Sequence, residues 1–88
     1  MINFVLVVPD PELPEDRYLT KAVSWPVLPR VGEMVYLPGC IGRDVEQVRH
    51  NFSEDSLTRL NIEVVVGVVE EEFTALHEAF GWEKNDFD

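Results

Sequence analysis

Residues 60–69, reading LNIEVVVGVV, restrict the possible folds of this chain more than any other stretch. Leu60, Ile62, Val64, Val66 and Val68 recur at period two, the spacing of side chains on one face of a strand, and so define a core face. The opposite face, Asn61, Glu63, Val65, Gly67 and Val69, starts polar and turns apolar halfway along. Its first half is expected to meet water and its second half to be covered, with the helical segment from Glu70 to Trp82 as the cover. A second run, Ile2 to Val8, is apolar on both faces and rich in β-branched residues, which marks a strand buried on both sides and a natural neighbour of 60–69.

The rest of the chain is placed around these two runs. Pro9, Pro11 and Pro14, set among acidic residues, give an exposed loop that can neither pair in a ladder nor extend a helix. Residues 17–25 carry Tyr18, Leu19, Thr20, Val23 and Trp25 and read as a strand that Pro26 ends. A proline-punctuated connection follows, in which Gly32 is free to take a positive φ, and then a short strand over 33–37 stopped by Pro38 and Gly39. Cys40 to Arg43 reads as a glycine-flanked loop. Over 44–52 the step from Val45 to Val48 breaks period two, while Val48, His50 and Phe52 restore it, which predicts a strand with a bulge near Glu46 and Gln47, paired with 33–37 as a hairpin. Ser53 to Ser56 is the expected turn into the strand at 59–69.

After that strand, Glu70, Glu71 and Glu72 place negative charge where a helix N-terminus favours it. Phe73, Leu76 and Phe80 make one apolar stripe, Gly81 stands where a C-terminal cap glycine belongs, and Trp82 can fold back over it. The pattern therefore predicts a helix over 70–81 whose stability comes from packing on the sheet, and a frayed acidic tail over 83–88. The fold expected is α+β, with five strands in one mainly antiparallel bent sheet or half-open small barrel and one C-terminal helix packed on it, the whole forming a single domain over 1–82. The run Val31-Gly32-Glu33-Met34-Val35-Tyr36-Leu37 resembles the Gly-acidic-x-Val-x-apolar entry into a strand seen in SH3-like small barrels, which implies the same half-open barrel.

Charge and composition narrow the function classes. The chain of 88 residues has 7 basic and 17 acidic side chains, a net charge of −10, which repels phosphate backbones and argues against direct nucleic-acid binding. The hydrophobic fraction of 45% is that of a folded chain. Ile2 to Val8 lacks the basic flank and cleavage pattern of a secretory signal, and nothing approaches the roughly 20 apolar residues that span a bilayer, so no membrane association is expected. One cysteine, Cys40, rules out an internal disulfide and fits a reducing compartment, the cytoplasm.

Three constellations carry possible chemistry. Cys40 with Arg43 three residues on and His50 ten residues on offers a thiol, a cation and a base, but no third orienting group follows from the spacing. Cys40, His50 and His77 lack the close ligand pairs of small zinc sites. The carboxylate runs at 54–55 and 70–72 share one solvated environment each, which does not separate the pKa values of an acid and a base. No catalytic residue, metal ligand or cofactor is therefore assigned. Trp25, at the end of a strand beside a proline, is the candidate binding anchor, with Arg30 and Arg43 as the nearby cations. Because the core is expected to consume most apolar residues, little is left for a ligand pocket of several hundred cubic ångströms. The reading is a small acidic non-enzymatic module that binds another protein or itself, with a possible homodimer through the edge at 17–25 or 33–37. The alternatives are an acidic decoy for the basic groove of a nucleic-acid-binding protein and a small Cys40-dependent enzyme.

Overall fold

In the computed structural model, which describes residues 1–39, 41–50 and 62–86, the two most apolar runs meet at the centre of one sheet. They are β1 (Ile2–Pro9) and β5 (Ile62–Val66), and they run parallel, with Val5, Leu6 and Val7 beside Glu63, Val64 and Val65. Between them in sequence lie β2 (Arg17–Trp25), β3 (Met34–Leu37) and β4 (Ile41–His50); after them come α1 (Glu70–Glu78) and β6 (Glu83–Asp86). The sheet order is β3-β4-β5-β1-β2-β6, and the sheet curls into a half-barrel.

Two expectations are corrected here. The sheet has six strands and is mixed, because β1 and β5 pair in parallel while every other neighbouring pair is antiparallel. The reason is the route of the chain. β2 doubles back beside β1, the connection 26–33 carries the chain to the far edge of the sheet, and β3 and β4 return it to the free side of β1, where β5 arrives in the direction of β1. In a flat sheet the step from β2 to β3 is four strand spacings, about 19 Å, within the reach of an eight-residue extended segment. The second correction is in the expected tail, where Glu83 to Asp86 forms β6 along the first half of β2 instead of fraying, residues 87–88 lying outside the described residues. Its residue types are poor strand formers. It is held as an edge strand by backbone pairing and by Trp82 just before it, which is buried in the core.

One face of the sheet holds the main core. Phe4, Val8, Leu19, Val45, Val64 and Val66 form one cluster with Leu37, Phe73, Leu76 and Trp82. Each fully buried aliphatic side chain of this kind contributes about 1.5–3 kcal/mol relative to leaving it exposed. Val64 and Val66 point into this cluster, as their period predicts. Val7 and Val65, neighbours in the parallel register, are also buried, so β1 and β5 are covered on both faces at that level. The helix lies on the Val64 and Val66 side, since Phe73 and Leu76 join that cluster, and not over the Val65 face where the sequence places it. Glu63 does not simply face water: it sits opposite Arg49 of β4 and pairs with it at 3.6 Å.

The bulge in β4 is where the sequence puts it. Val45 pairs with Val66 and Val48 with Val64, and the register shifts between Val45 and Gln47, so two valines three residues apart reach the same face. β4 begins at Ile41 instead of 44, because Leu37 of β3 already pairs with Ile41. Gly32 has φ 89° and its N–H donates to the Val45 carbonyl. The helix ends at Glu78, earlier than expected, and Phe80 is left exposed outside the stripe. Gly81 at φ 70° reverses the chain, and Trp82 donates its N–H to the Leu76 carbonyl and buries its ring. The expected turn at 53–56 and the start of the strand at 59–61 lie outside the described residues.

Val66 is fully buried at the centre of the core, so Val66→Asp is expected to abolish the cooperative melt. An unpaired buried carboxylate costs several kcal/mol against a total stability of about 5–15 kcal/mol. Retention of a melt within a few degrees of the parent, followed by circular dichroism, would place this side chain outside the core.

Candidate functional site: an apolar groove and an open strand edge

Curling the sheet brings its first and fifth strands toward each other across the open side of the half-barrel, and the space between them is not filled. A groove of about 500 Å³ remains. Its floor is Phe4 and Leu6 of β1 and Val23 of β2, one wall is Trp25, and the other is the outer edge of β3 with Met34, Val35 and Tyr36. Val27 and Pro29 of the connection close one end. The expectation that the core leaves no space of this size is thereby corrected: the core takes the buried residues, while the proline-rich connection and β3 add apolar side chains that the core does not use.

The groove is lined by exposed anchors. Trp25 is 58% and Tyr36 74% exposed, and Val27 and Met34 are exposed as well. Gly42 of β4 pairs with Tyr36, and a Cβ there would meet Met34 Sδ at 2.9 Å and Tyr36 Cε1 at 3.1 Å. Glycine at this position thus lets both side chains lie flat across β4. Beside the groove, β2 is only half covered: β6 pairs with Arg17 to Thr20 and stops, leaving the outer edge of 21–25 without a neighbouring strand among the described residues. Such an edge presents unpaired N–H and C=O groups to a partner strand.

The charge distribution follows the same division. Of the 17 acidic residues only Glu33 lies within 17–43, against four of the seven basic ones, Arg17, Lys21, Arg30 and Arg43. The segment that supplies most of the groove is thus poor in carboxylates, and its one acidic residue, Glu33, lies in the groove lining.

The residues singled out from sequence go to different places. Trp25 lines the groove. Arg30 lies in the connecting turn, where its N–H donates to Glu33 Oε1 at 2.7 Å and its carbonyl accepts from Glu33 N–H at 3.0 Å; its side chain does not line the groove. Arg43 is part of β4 and is engaged by Glu72 of α1. The structure therefore does not bring the three together into one site. Arg43 and His50 stand near opposite ends of β4, about 20 Å apart at strand rise, so a site needing both beside one thiol is not formed; Cys40 itself lies outside the described residues. His77 is exposed and its Nδ1 is 3.1 Å from the Trp82 carbonyl, which requires the ring proton on Nδ1 and fixes the turn after the helix. Tyr36, Met34 and Val27 were not singled out. Their signal is the apolar character of a connection and a four-residue edge strand too short to bury it.

The helix is fastened to β4 and to its own first turn through Glu72. Glu72 accepts the Val69 N–H at 3.0 Å, closing the first turn of α1, and also pairs with the Arg43 guanidinium. The Val69 amide, and then Arg43, hold its carboxyl below the usual carboxylate range against the opposing effect of burial. Glu70 behaves oppositely: a side-chain hydrogen bond with Glu12 and the charge of that neighbour raise it.

No family model, no curated protein and no solved structure matches this chain. Among the described residues no helix is long and apolar enough to cross a membrane, and no group of three His, Cys, Asp or Glu side chains could hold a metal ion.

Because Glu72 is depressed in the folded state, its contribution is fully present above the ordinary carboxylate pKa and is lost as pH falls through its lowered value. Glu72→Gln is expected to cost about 1 kcal/mol at neutral pH, the scale of a lost helix cap, lowering Tm by about 4–8 °C. Melting curves should show the gap to the parent closing on acidification below about pH 4. A gap that is absent at neutral pH, or that persists unchanged in acid, contradicts the assignment.

Proposed function

We propose that this chain is a small non-enzymatic interaction module that binds a protein chain through the groove between β2 and β3 and the open half of β2. The observation that carries the reading is the groove itself: Trp25 and Tyr36, both largely exposed, line one apolar space with Phe4, Leu6 and Val23. Soluble monomers rarely leave such a contiguous apolar surface bare, and aromatic anchors at the centre of a patch supply most of the energy in protein interfaces. The open edge adds backbone hydrogen bonds that need no particular side chains. A second hollow, bordered by Arg43, Asp44 and Glu46, is polar, and its cation is engaged by Glu72.

Photo-crosslinking in the cells that make the protein tests this. With p-benzoylphenylalanine replacing Trp25 or Tyr36, irradiation is expected to give discrete protein adducts, and with the same probe replacing Glu15 or Glu71 on the acidic surface, none. Adducts from the acidic positions and none from the groove would make the carboxylates the binding face, as the decoy reading requires. Absence of adducts from all four positions removes the interaction reading.

A further inference from the structure

We propose that the chain that occupies this edge is a second copy of itself, with β2 pairing antiparallel to β2 about a two-fold axis at Val23. The inference rests on the interaction reading above and names its partner.

The argument begins with the length of the open edge. β6 covers Arg17 to Thr20 and ends there, and β2 itself ends at Trp25, before Pro26. Five residues, 21–25, are left. An antiparallel strand centred on Val23 places Lys21 opposite Trp25 of the second copy, Ala22 opposite Ser24, and Val23 opposite Val23. Two strands cannot occupy adjacent positions on one edge, so the ladder spans Ala22 to Ser24, and Trp25 of the second copy, followed by Pro26, turns out of it beside Lys21 before reaching β6, which starts opposite Thr20. A register shifted toward the start of β2 overlaps β6, and one shifted the other way leaves more of the edge bare. The segment thus matches its own gap.

Charge supports the same occupant. Two chains of net charge −10 repel each other, and they can meet only where carboxylates are sparse. The segment 21–25 contains none and has one cation, Lys21. Lys21, Val23 and Trp25 share the face of β2 that lines the groove, since Val23 pairs with Phe4 and Lys21 with Leu6 of β1. A two-fold axis perpendicular to the sheet keeps that face on one side. Trp25 of each copy then lies directly opposite Lys21 of the other and diagonal to its Val23, an ammonium-on-indole contact with an apolar centre. The contact is isologous, so it closes at two copies and consumes both open edges. Repulsion between the acidic remainders persists at long range, and the dimer therefore tightens as salt screens it.

Sedimentation equilibrium at tens of micromolar, in about 0.15 M NaCl, reads the mass. The parent is expected at twice the chain mass, with a dissociation constant that falls as NaCl is raised. Trp25→Lys sets like charges opposite each other at two symmetry-related positions and is expected to weaken the dimer at least about tenfold. Adding Lys21→Glu to that variant sets opposite charges at the same two positions and restores it. Both sites are exposed, and circular dichroism melts confirm that the variants remain folded. A parent at the mass of one chain, a dimer indifferent to Trp25→Lys, or a double variant that fails to recover overturns the pairing. A monomeric parent that still gives groove adducts of another mass overturns only the second-copy occupant; a monomeric parent with no adducts removes the interaction reading as well.

Discussion

The parallel contact between β1 and β5 is the constraint on which the rest of the structure depends. A parallel pair cannot be closed by a tight turn, so the chain between the two strands must make a long excursion and come back in the same direction. Here that excursion is three strands, β2 on one side and β3 and β4 on the other, and the helix follows once β5 is in place. Burial at the level of Val7 and Val65 on one face, and Val8, Val64 and Val66 on the other, is what holds two strands so remote in sequence together. The short strands at either edge, β3 and β6, add pairing to this centre and little apolar burial of their own, Leu37 of β3 excepted.

The same route explains where the surface is unfinished. The segment 26–33 must cross the open side of the half-barrel, and a segment with prolines at 26 and 29 can do so extended but cannot pair as a strand. It leaves the mouth lined by apolar side chains and unclosed. β6 covers only half of β2, and β3 covers only the first part of β4. Arg43 and Glu72 tie β4 to the first turn of the helix, which covers the core with Phe73 and Leu76.

Much of the fold is legible in the sequence because it is written in period two. β2 has the boundaries its β-formers and Pro26 suggest, the bulge at Glu46 and Gln47 follows from a three-residue step between core valines, and Gly81 with Trp82 signals the turn after the helix. The direction of pairing is not written there. Two-sided apolar runs say that β1 and β5 are central and neighbours, but not that they are parallel, which is set by the path of the strands between them. β6 is invisible for a different reason: Glu83 and Lys84 have no strand preference, and their structure comes from the edge they lie against. The site is partly legible. Trp25 stands out as an aromatic beside a proline, whereas Tyr36 and Met34 become binding candidates only when β3 is seen to be an edge. Arg43 misleads, since nothing in its local sequence announces Glu72, 29 residues away.

The most direct test is the pairing of β1 with β5 by nuclear Overhauser contacts in isotopically labelled protein. Parallel strands bring amide protons of one close to Hα protons of the other and keep the Hα protons apart, whereas antiparallel strands bring pairs of Hα protons together. The structure predicts amide-to-Hα cross-peaks between residues 5–7 and 63–65, with no intense Hα-to-Hα peaks among them. Strong Hα-to-Hα peaks between these segments, or contacts from Val64 to β4 alone, would contradict it and remove the reason for both the groove and the open edge.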